Sequence, residues 1–275
     1  METIQQAEPK LDSGVINMNF SKALHLFFGF VIFIPLLFIS MFFVIIPCAL
    51  LKGLGARSLS YRWAQINGVI FSRIIFLLLN VKIHVVGDKK PLKRMRKVCF
   101  VCNHTSIIDV PGLVGGLGIW AGFITKKELK RVPMLNLWIW AMNCVYIDRG
   151  SARAGFKALT KGVDNIKSGT PMVIFPEGTR SKDGQIHAYK SGSFHLATRS
   201  GATVIPLAIK GFRRAFEDLK GFGRIDAYIQ IGEPIDTSVM SSDQLHSLPE
   251  EIERWTLEAY AKLPAGPGFR SQKTQ

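Results

Sequence analysis

The sequence predicts an α/β domain with a mixed or mainly parallel sheet flanked by helices, preceded by a helical N-terminal segment that is embedded in a membrane. Beyond residue 80, short apolar runs alternate with patterns of helical period, an order typical of strands joined by crossover helices. The predicted strands are residues 82–86, 98–102, 122–125, 145–147, 172–175, 203–209 and 227–231. Helices are predicted near residues 107–113, 154–167 and 194–198.

The N-terminal part of the chain divides into a tail (1–22) and a segment predicted to be embedded in the membrane (23–80), followed by the α/β domain (81–275). Residues 23–51 are 29 consecutive positions without Asp, Glu, Lys or Arg. That run exceeds the roughly 20 residues needed to cross a bilayer. Pro35 and Pro47 each remove a backbone donor, so the run is expected either to span the bilayer or to form a re-entrant hairpin.

A second apolar stretch, residues 66–81, is predicted to form a helix that is apolar nearly all round. Arg73 near its middle suits a helix partly sunk in the membrane interface or packed on the first segment, with a buried core helix as the alternative. Lys52, Arg57 and Arg62 follow the first run with no acid among them. The positive-inside bias therefore predicts that everything after Leu51, including the α/β domain, faces the cytoplasm.

Composition restricts the kind of partner that the chain binds. Lys and Arg outnumber Asp and Glu by 35 to 20, and 48% of residues are hydrophobic. This balance indicates an anionic partner and an apolar surface that meets lipid. A nucleic-acid binder needs basic residues interleaved with exposed aromatic side chains, whereas most aromatic residues here lie in the apolar run, so no nucleic-acid partner is expected.

No cofactor or metal site is expected either. Cys99 and Cys102 form a C-x-x-C pattern, but they lie in the strand predicted at 98–102. Residues three apart on a strand point to opposite faces, and no second ligand pair follows. A redox or metal role for this pair is therefore disfavoured.

The strand predicted at 98–102 leads directly into the segment NHTSIID, residues 103–109. On a regular helix His104 and Asp109 would diverge by about 140°, so they meet only if His104 lies in a turn before the helix. Thr105 and Ser106 are plausible N-caps for that helix. A carboxylate on one imidazole nitrogen leaves the other nitrogen basic, as in a general base. The alternative is a histidine that caps a helix with an aspartate on its surface.

A second polar segment, FPEGTRS at residues 175–181, follows the strand predicted at 172–175. Gly178 permits a tight or left-handed backbone, Thr179 supplies a hydroxyl, and Arg180 offers a planar fork suited to phosphate. The segment therefore predicts a small anion site, with an ordinary surface turn as the alternative.

Together the two segments resemble the glycerolipid acyltransferase family, whose best-known members are the 1-acyl-glycerol-3-phosphate acyltransferases. The pattern N-H-x-x-x-x-D is followed roughly 70 residues later by F-P-E-G-T-R. Residues 123–129 (FITKKEL) with 146–149 (YIDR), and residues 204–207 (VIPL), look like two further blocks of the family. Four blocks in order are more specific than either motif alone.

The resemblance implies a role for each matching residue. His104 would be the base that deprotonates the acceptor hydroxyl, and Asp109 would orient it. Arg180 would hold the acceptor phosphate in a loop shaped by Glu177, Gly178 and Thr179. Lys126 and Arg149 look like further basic contacts.

The implied reaction transfers a fatty acyl group from acyl-ACP or acyl-CoA to the sn-2 hydroxyl of lysophosphatidic acid, forming phosphatidic acid at a membrane lipid bilayer. Glycerol-3-phosphate, another lysophospholipid or an aminolipid are alternative acceptors, and a non-catalytic lipid-binding membrane protein is the alternative of another class. No cofactor is implied.

The sequence leaves the oxyanion donors and one covalent mechanism open. Backbone amides of residues 190–193 are the candidates for stabilising the oxyanion. No G-x-S-x-G elbow is present, which disfavours the acyl-enzyme of an α/β-hydrolase. Cys102 and His104 would share a face if the strand continued, so a Cys/His pair is an alternative to general-base catalysis.

Overall fold

The structure is a computed structural model, and it describes residues 31, 35–36, 38–95, 97–148, 150–219 and 223–264. Within these residues eight strands form one mixed sheet. The strands are β1 (Val81–Val86), β2 (Val98–Cys102), β3 (Gly122–Lys126), β4 (Val145–Ile147), β5 (Met172–Ile174), β6 (Thr203–Lys210), β7 (Ile225–Ile231) and β8 (Ile235–Asp236). Seven of them lie where the sequence predicts strands.

The described helices are α1 (Ile46–Gly53), α2 (Arg57–Leu78), α3 (Asp109–Leu117), α4 (Leu135–Ala141), α5 (Ala152–Lys167), α6 (Ser191–Thr198), α7 (Phe212–Ala215) and α8 (Ser242–Lys262). Short 3-10 turns lie at Pro91–Lys93 and Lys127–Arg131. The long C-terminal helix α8 was not predicted. Its start carries a capping box in which Ser241 and Gln244 bond each other's backbone N–H, the S-x-x-Q pattern that signals a helix start in a sequence.

The strand order is β1-β7-β6-β2-β5-β3-β4, with β8 paired to β6. Strands β6, β2, β5, β3 and β4 are parallel to their neighbours in this run, whereas β7 is antiparallel to β6. The carboxyl ends of five adjacent strands therefore lie at one edge of the sheet. Loops that follow β2, β5, β3 and β4 are consequently neighbours in space although they are far apart in the sequence.

The central strand β2 is buried on both faces. Val98, Phe100 and Cys102 pack into one hydrophobic cluster, and Cys99 and Val101 pack into another. All five residues are buried. Cys99 and Cys102 thus face opposite layers as free cysteines, as the strand period predicts.

Helix α2 packs closely on the α/β domain through a stripe of small residues. Its buried positions recur every four residues, and a Cβ at Gly68 would lie 1.9 Å from the ring of Trp120. The helix starts nine residues before the predicted stretch 66–81 and ends before Val81, which begins β1. Asn80 ends it, because this residue adopts a positive φ of 52° in the turn.

Arg73 does not mark a purely lipid-facing helix. Its Nε donates to the carbonyl of Gly115 at 3.1 Å, on the last turn of α3. A cation at that position compensates the negative end of the helix dipole. Arg73 therefore joins α2 to the α/β domain.

The apolar N-terminal run is described only in its second half. A π-helical turn at Met41–Ile45 leads into α1, and a turn at Leu54 and Gly55 separates α1 from α2. Among the described residues, no helix combines the length and the apolar character that crossing a bilayer requires. Residues 1–30, 32–34 and 37, which include most of the start of the predicted membrane segment, lie outside the described residues.

Candidate active site

The two motifs meet at the carboxyl ends of adjacent parallel strands. Strand β2 leads into His104, and β5 leads through Phe175 to Glu177. The N–H of His104 donates to Glu177 Oε1 at 2.7 Å, and the N–H of Ser181 donates to the carbonyl of His104 at 2.9 Å. The backbone of one motif is thus bonded directly to the other.

His104 lies in the turn between β2 and α3, as its spacing from Asp109 requires. Its Nδ1 lies 2.8 Å from Asp109 Oδ2. The same carboxylate oxygen accepts from the N–H groups of Thr105 and Ser106, each at 2.8 Å. Asp109 therefore holds both the imidazole and the turn that carries it.

Thr105 and Ser106 are not the N-caps of this helix. Helix α3 begins at Asp109, with Ile108 in the N-cap position and no side-chain cap there. The two residues lie in the preceding turn, and Asp109 reaches back to their backbone donors. This arrangement satisfies two backbone donors of the turn that precedes the helix.

Burial sets the electrostatics of Asp109. Its side chain is 0% exposed, and this burial raises the pKa of the carboxyl, while the hydrogen bonds from His104, Ser106 and Thr105 act in the opposite direction. Asp109 Oδ1 is buried without a hydrogen-bond partner within the described structure. All the hydrogen bonds that the carboxylate makes within the described structure are therefore made by Oδ2, to His104 and to the turn that carries it.

The ring of Phe175 stacks on one face of the His104 imidazole. The rings of His104 and Phe175 stack with centroids 4.0 Å apart and planes within 17°. Phe123 continues the stack on the far side of Phe175, at 5.9 Å. The His104 side chain retains 16% exposure, so the stack holds the ring while part of it stays accessible to solvent.

The covalent alternative based on Cys102 does not fit this site. The thiol is fully buried, and burial, followed by the negative charges of Asp109 and Glu177, raises its pKa well above the ordinary value. The reactive form of cysteine is the thiolate. Cys102 is thus a neutral core residue.

Glu177 braces the loop from inside. Its carboxylate accepts from the N–H of His104 and, at 3.2 Å, from the N–H of His187. The side chain is buried, and this burial raises its pKa. Glu177 therefore supports the loop, as the resemblance implies, with its oxygens turned to the main chain.

The loop exposes its basic residues at the surface beside His104. Gly178 adopts a φ of +75°, and a Cβ built there would lie 3.0 Å from Nζ of Lys190. Thr179 is exposed, and the Arg180 side chain is 48% exposed, with Nη1 3.5 Å from Glu217 Oε1. Arg180 on the turn and Lys190 beside it are both exposed, so two cations are open to an approaching anion.

Of the other basic residues predicted for this site, Lys126 ends β3 and is exposed at the same edge of the sheet. The sheet order puts β5 between β3 and β2, so Lys126 is about two strand spacings, roughly 10 Å, from the strand that carries His104. Arg149 lies outside the described residues.

Two of the amides considered as oxyanion donors are already engaged. The N–H of Lys190 donates to the carbonyl of Pro176 at 3.0 Å, and the N–H of Ser193 donates to the carbonyl of Lys190 at 2.9 Å. The prediction for these two donors was wrong. The first of these hydrogen bonds instead fastens the start of α6 to the PEGTR loop (residues 176–180), and the second lies within the first turn of α6.

Sequence reasoning missed three contributors to the site. The sequence places Phe175 at the end of a strand and in the FPEGTR motif without giving its ring a role, and it indicates Lys190 only for its backbone amide. Glu217 lies in a segment without a recognisable motif, so only the fold brings it to the turn. A histidine with one nitrogen bonded to a carboxylate, beside a basic loop, can accept a proton from a hydroxyl of a phosphorylated molecule.

Comparison with known proteins agrees with this geometry. A family model described as "Acyltransferase" matches residues 82–210, which include both motifs. The 1-acyl-sn-glycerol-3-phosphate acyltransferase of Borreliella burgdorferi is 24% identical over 181 residues, 66% of this chain and 72% of that protein. The chloroplastic 1-acyl-sn-glycerol-3-phosphate acyltransferase LPAT1 of Arabidopsis thaliana is 31% identical over 130 residues, 47% of this chain and 36% of that protein.

A solved structure has the same fold along nearly its whole length. The crystal structure of the 1-acyl-sn-glycerophosphate acyltransferase PlsC from Thermotoga maritima superposes with a TM-score of 0.71 at 26% identity, covering 89% of this chain and 98% of that one. The shared motifs, the matched segment and this superposition lead to one conclusion. The chain is related to the 1-acyl-sn-glycerol-3-phosphate acyltransferases, and its residues 82–210 match the acyltransferase family.

Proposed function

We propose that this acyltransferase is a 1-acylglycerol-3-phosphate O-acyltransferase. It transfers a fatty acyl group from acyl-ACP or acyl-CoA to the sn-2 hydroxyl of lysophosphatidic acid and forms phosphatidic acid. The observation that carries the proposal is the 2.8 Å contact between His104 and Asp109 beside a loop with an exposed Arg180. The names of the relatives from Borreliella, Arabidopsis and Thermotoga support the choice of acceptor.

His104 acts as the general base in this proposal. Asp109 Oδ2 accepts a hydrogen bond from Nδ1–H of the imidazole, which leaves the lone pair of Nε2 to take the proton of the acceptor hydroxyl. The deprotonated oxygen attacks the thioester carbonyl, and the C–S bond breaks as the ester forms. The imidazolium then returns its proton to the leaving thiolate. General-base catalysis of this kind contributes about 10² to 10⁴ in rate.

The PEGTR loop binds the acceptor phosphate. Arg180 is half exposed, so its guanidinium can reach a phosphate without the side chain moving out of the core. There it can form paired hydrogen bonds to the phosphate oxygens. Lys190 adds a second positive charge at Gly178. These cations hold the phosphate while the hydroxyl lies toward His104, which makes the transfer effectively intramolecular.

We also propose that the N-terminal helices attach the protein to the surface of a bilayer, with the catalytic domain on the cytoplasmic face. Large apolar side chains are exposed along the π-helical turn, α1 and α2, including Phe43, Leu50, Leu54, Ile66 and Leu77. Such a face gains free energy when it enters the membrane interface. Attachment there would bring the site to an acceptor that resides in the same bilayer.

The test is product formation by the purified full-length protein in liposomes. Lysophosphatidic acid, glycerol-3-phosphate and a zwitterionic lysophospholipid are each supplied with acyl-ACP or acyl-CoA, and lipid products are separated and identified. Phosphatidic acid formed from lysophosphatidic acid supports the proposal. Product from glycerol-3-phosphate or the zwitterionic lysophospholipid alone would contradict lysophosphatidic acid as the acceptor. No product with any combination would favour a non-catalytic, lipid-binding role.

The membrane proposal has a separate measurement. Full-length protein is sedimented with vesicles, and the double substitution Leu50→Ser and Leu54→Ser is compared with the wild-type chain. Both residues are exposed, so the folded core is expected to persist. The proposal expects the variant to bind vesicles more weakly, and unchanged sedimentation would contradict it.

A further inference from the structure

A single carboxylate bonds the two motifs together from outside both of them. Glu217 Oε2 accepts from the hydroxyl of Ser106 at 2.6 Å, and Glu217 Oε1 accepts from the N–H of Ile107 at 2.8 Å. The same Oε1 lies 3.5 Å from Nη1 of Arg180. Glu217 thus contacts the turn that carries the base and the arginine of the anion loop.

The contacts with the turn complete its hydrogen bonding. Asp109 takes the N–H groups of Thr105 and Ser106, and Glu217 takes the next one, that of Ile107. Two carboxylates therefore share the donors at the start of α3, where the helix dipole favours negative charge. Glu217 is anchored to the turn by two hydrogen bonds, so its place relative to His104 is set.

The ion pair with Arg180 then holds the guanidinium near the anchored carboxylate of Glu217. Arg180 has a long, half-exposed side chain, which alone would sample several rotamers in solvent. An ion pair with an anchored carboxylate keeps the guanidinium on the side of the loop that faces the turn. A phosphate has further oxygens to bind the remaining donors of this fork.

We propose that Glu217 is a positioning residue that sets the separation between the imidazole of His104 and the guanidinium of Arg180. It thereby favours acceptors in which the hydroxyl and the phosphate are joined by a glycerol backbone. The inference rests on the proposed function for the identity of the acceptor. The geometry of the carboxylate itself depends only on the three contacts.

A purely electrostatic role of Glu217 and a positioning role predict opposite changes in KM when the carboxylate is neutralised. A carboxylate next to Arg180 repels a phosphate, so replacement by the neutral Glu217→Gln would lower KM for the acceptor. A positioning role predicts a higher KM, because Gln has one acceptor and one donor group where Ser106 and Ile107 both donate. The sign of the change in KM therefore separates the two roles.

The experiment is a double-mutant cycle on the full-length protein with Glu217→Gln, Arg180→Ala and both together. We expect Glu217→Gln to raise KM for lysophosphatidic acid roughly tenfold and to change kcat less than about threefold. In the Arg180→Ala background the same change should alter KM less than about twofold, because Glu217 acts through Arg180. Independent, multiplying effects or a lower KM would overturn the inference.

Asp218→Asn is the matched control. Asp218 is the next residue and pairs with Arg213 at 2.7 Å, so the variant removes the same charge from the same segment. Its KM should stay within about twofold of the wild-type value. If Glu217→Gln does not fold, Glu217→Asp replaces it, because this variant keeps the charge while the shorter side chain withdraws it from both motifs.

A binding measurement separates this inference from the proposed function. Calorimetric titration with glycerol-3-phosphate, without any acyl donor, is carried out on the proteins of the cycle. Weaker binding by Glu217→Gln, absent in the Arg180→Ala background, supports the inference even if the wild-type chain forms no phosphatidic acid. Equal binding by the wild-type chain and Glu217→Gln, or no binding by either, would overturn it.

Discussion

Two of the three His–Asp pairs among the described residues are nearly equal in length but have different surroundings. His104 and Asp109 are 2.8 Å apart, and His84 and Asp226 are 2.7 Å apart. Each imidazole also stacks on an aromatic ring, on Phe175 in the first pair and on a tyrosine of β7 in the second. Distance and stacking alone therefore do not distinguish a catalytic pair from a surface pair.

The surroundings of the carboxylate make the difference. Asp109 is fully buried and its pKa is raised by burial, whereas Asp226 is 26% exposed and its pKa is lowered, chiefly by the hydrogen bond from His84. Asp109 also holds the backbone of the turn, while His84 and Asp226 lie on two paired strands. A buried acid that fixes both the ring and its loop provides the preorganisation that catalysis requires.

The largest expected difference between the pairs is in turnover. His104→Ala should lower kcat by about 10² to 10⁴, since it removes the proposed general base. His84→Ala removes the histidine of the other pair and should stay within about twofold of the wild-type kcat. Steady-state kinetics with lysophosphatidic acid measure both. Similar losses of kcat in the two variants would contradict a catalytic role for His104 alone of the two histidines.

The second-largest expected difference is in acceptor KM, between substitution of Arg180 and substitution of the arginine beside the other pair. Arg180→Ala should raise KM for a phosphorylated acceptor roughly tenfold, because a charge-assisted contact to phosphate is lost. Arg224→Ala is the control, since Arg224 lies 3.7 Å from Asp226 at the other pair. KM is compared between lysophosphatidic acid and the uncharged monoacylglycerol. Equal losses for both acceptors would contradict phosphate binding by Arg180.

Backbone strain should distinguish the PEGTR loop from a regular element. Gly178→Ala should destabilise the protein by about 1–3 kcal/mol, because Gly178 has a φ of +75° that alanine adopts at a cost. Lys190 contributes little to that cost, since its amine is the flexible end of a side chain. Urea unfolding gives the free energy of unfolding.

Gly155→Ala is the matched control for that loop. Gly155 lies in α5, and a Cβ there meets no atom within 4 Å. Alanine should stabilise this helix by about 0.5–1 kcal/mol, the opposite sign. A Gly178→Ala variant as stable as the wild-type chain would show that the loop does not need its left-handed residue.

The smallest expected effect is a pH dependence of opposite sign in the two acids. The pKa of Asp109 is raised on folding, so its contribution to the free energy of unfolding is fully present below the ordinary value of 3.8 and is lost as pH rises through the folded pKa. The pKa of Asp226 is lowered, so its contribution is present above 3.8 and is lost as pH falls through the folded pKa.

Asp109→Asn and Asp226→Asn isolate these two contributions. As pH rises from 3 to about 7, the wild-type protein should lose stability relative to Asp109→Asn and gain it relative to Asp226→Asn. Urea titrations at several pH values give each difference. Parallel pH profiles for the two variants would contradict the opposite environments of the two acids.

Local patterns predicted most of the sheet but fewer of the helices. Seven strands were found from apolar runs, because a buried strand needs a continuous apolar segment between turns. The two-residue β8 and the short helices α4 and α7 carry too few residues for a period to show. Helix α8 was missed despite its capping box, since half of its exposed positions are charged and its apolar face is narrow.

The candidate site divides in the same way. The contact between His104 and Asp109 follows from a spacing of five residues and one turn, so the sequence contained it. The stack on Phe175 and the two hydrogen bonds to Glu217 join segments more than 70 residues apart. No local pattern contains such contacts, because they depend on which strands become neighbours.

The amino-acid sequence alone therefore determined the fold class, the resemblance to the acyltransferase family, the contact between His104 and Asp109, and the loop that carries Arg180. The tertiary structure alone decided that Asp109 is buried, that Cys102 is an inert core thiol and that Glu217 reaches both motifs. The physical reason is that spacing and residue type act within one element, whereas burial and charge environment arise from the packing of strands and helices distant in the chain. The His84–Asp226 pair shows the consequence, since it matches the candidate catalytic pair in distance and stacking and differs from it in the exposure of its carboxylate and in its place on two paired strands.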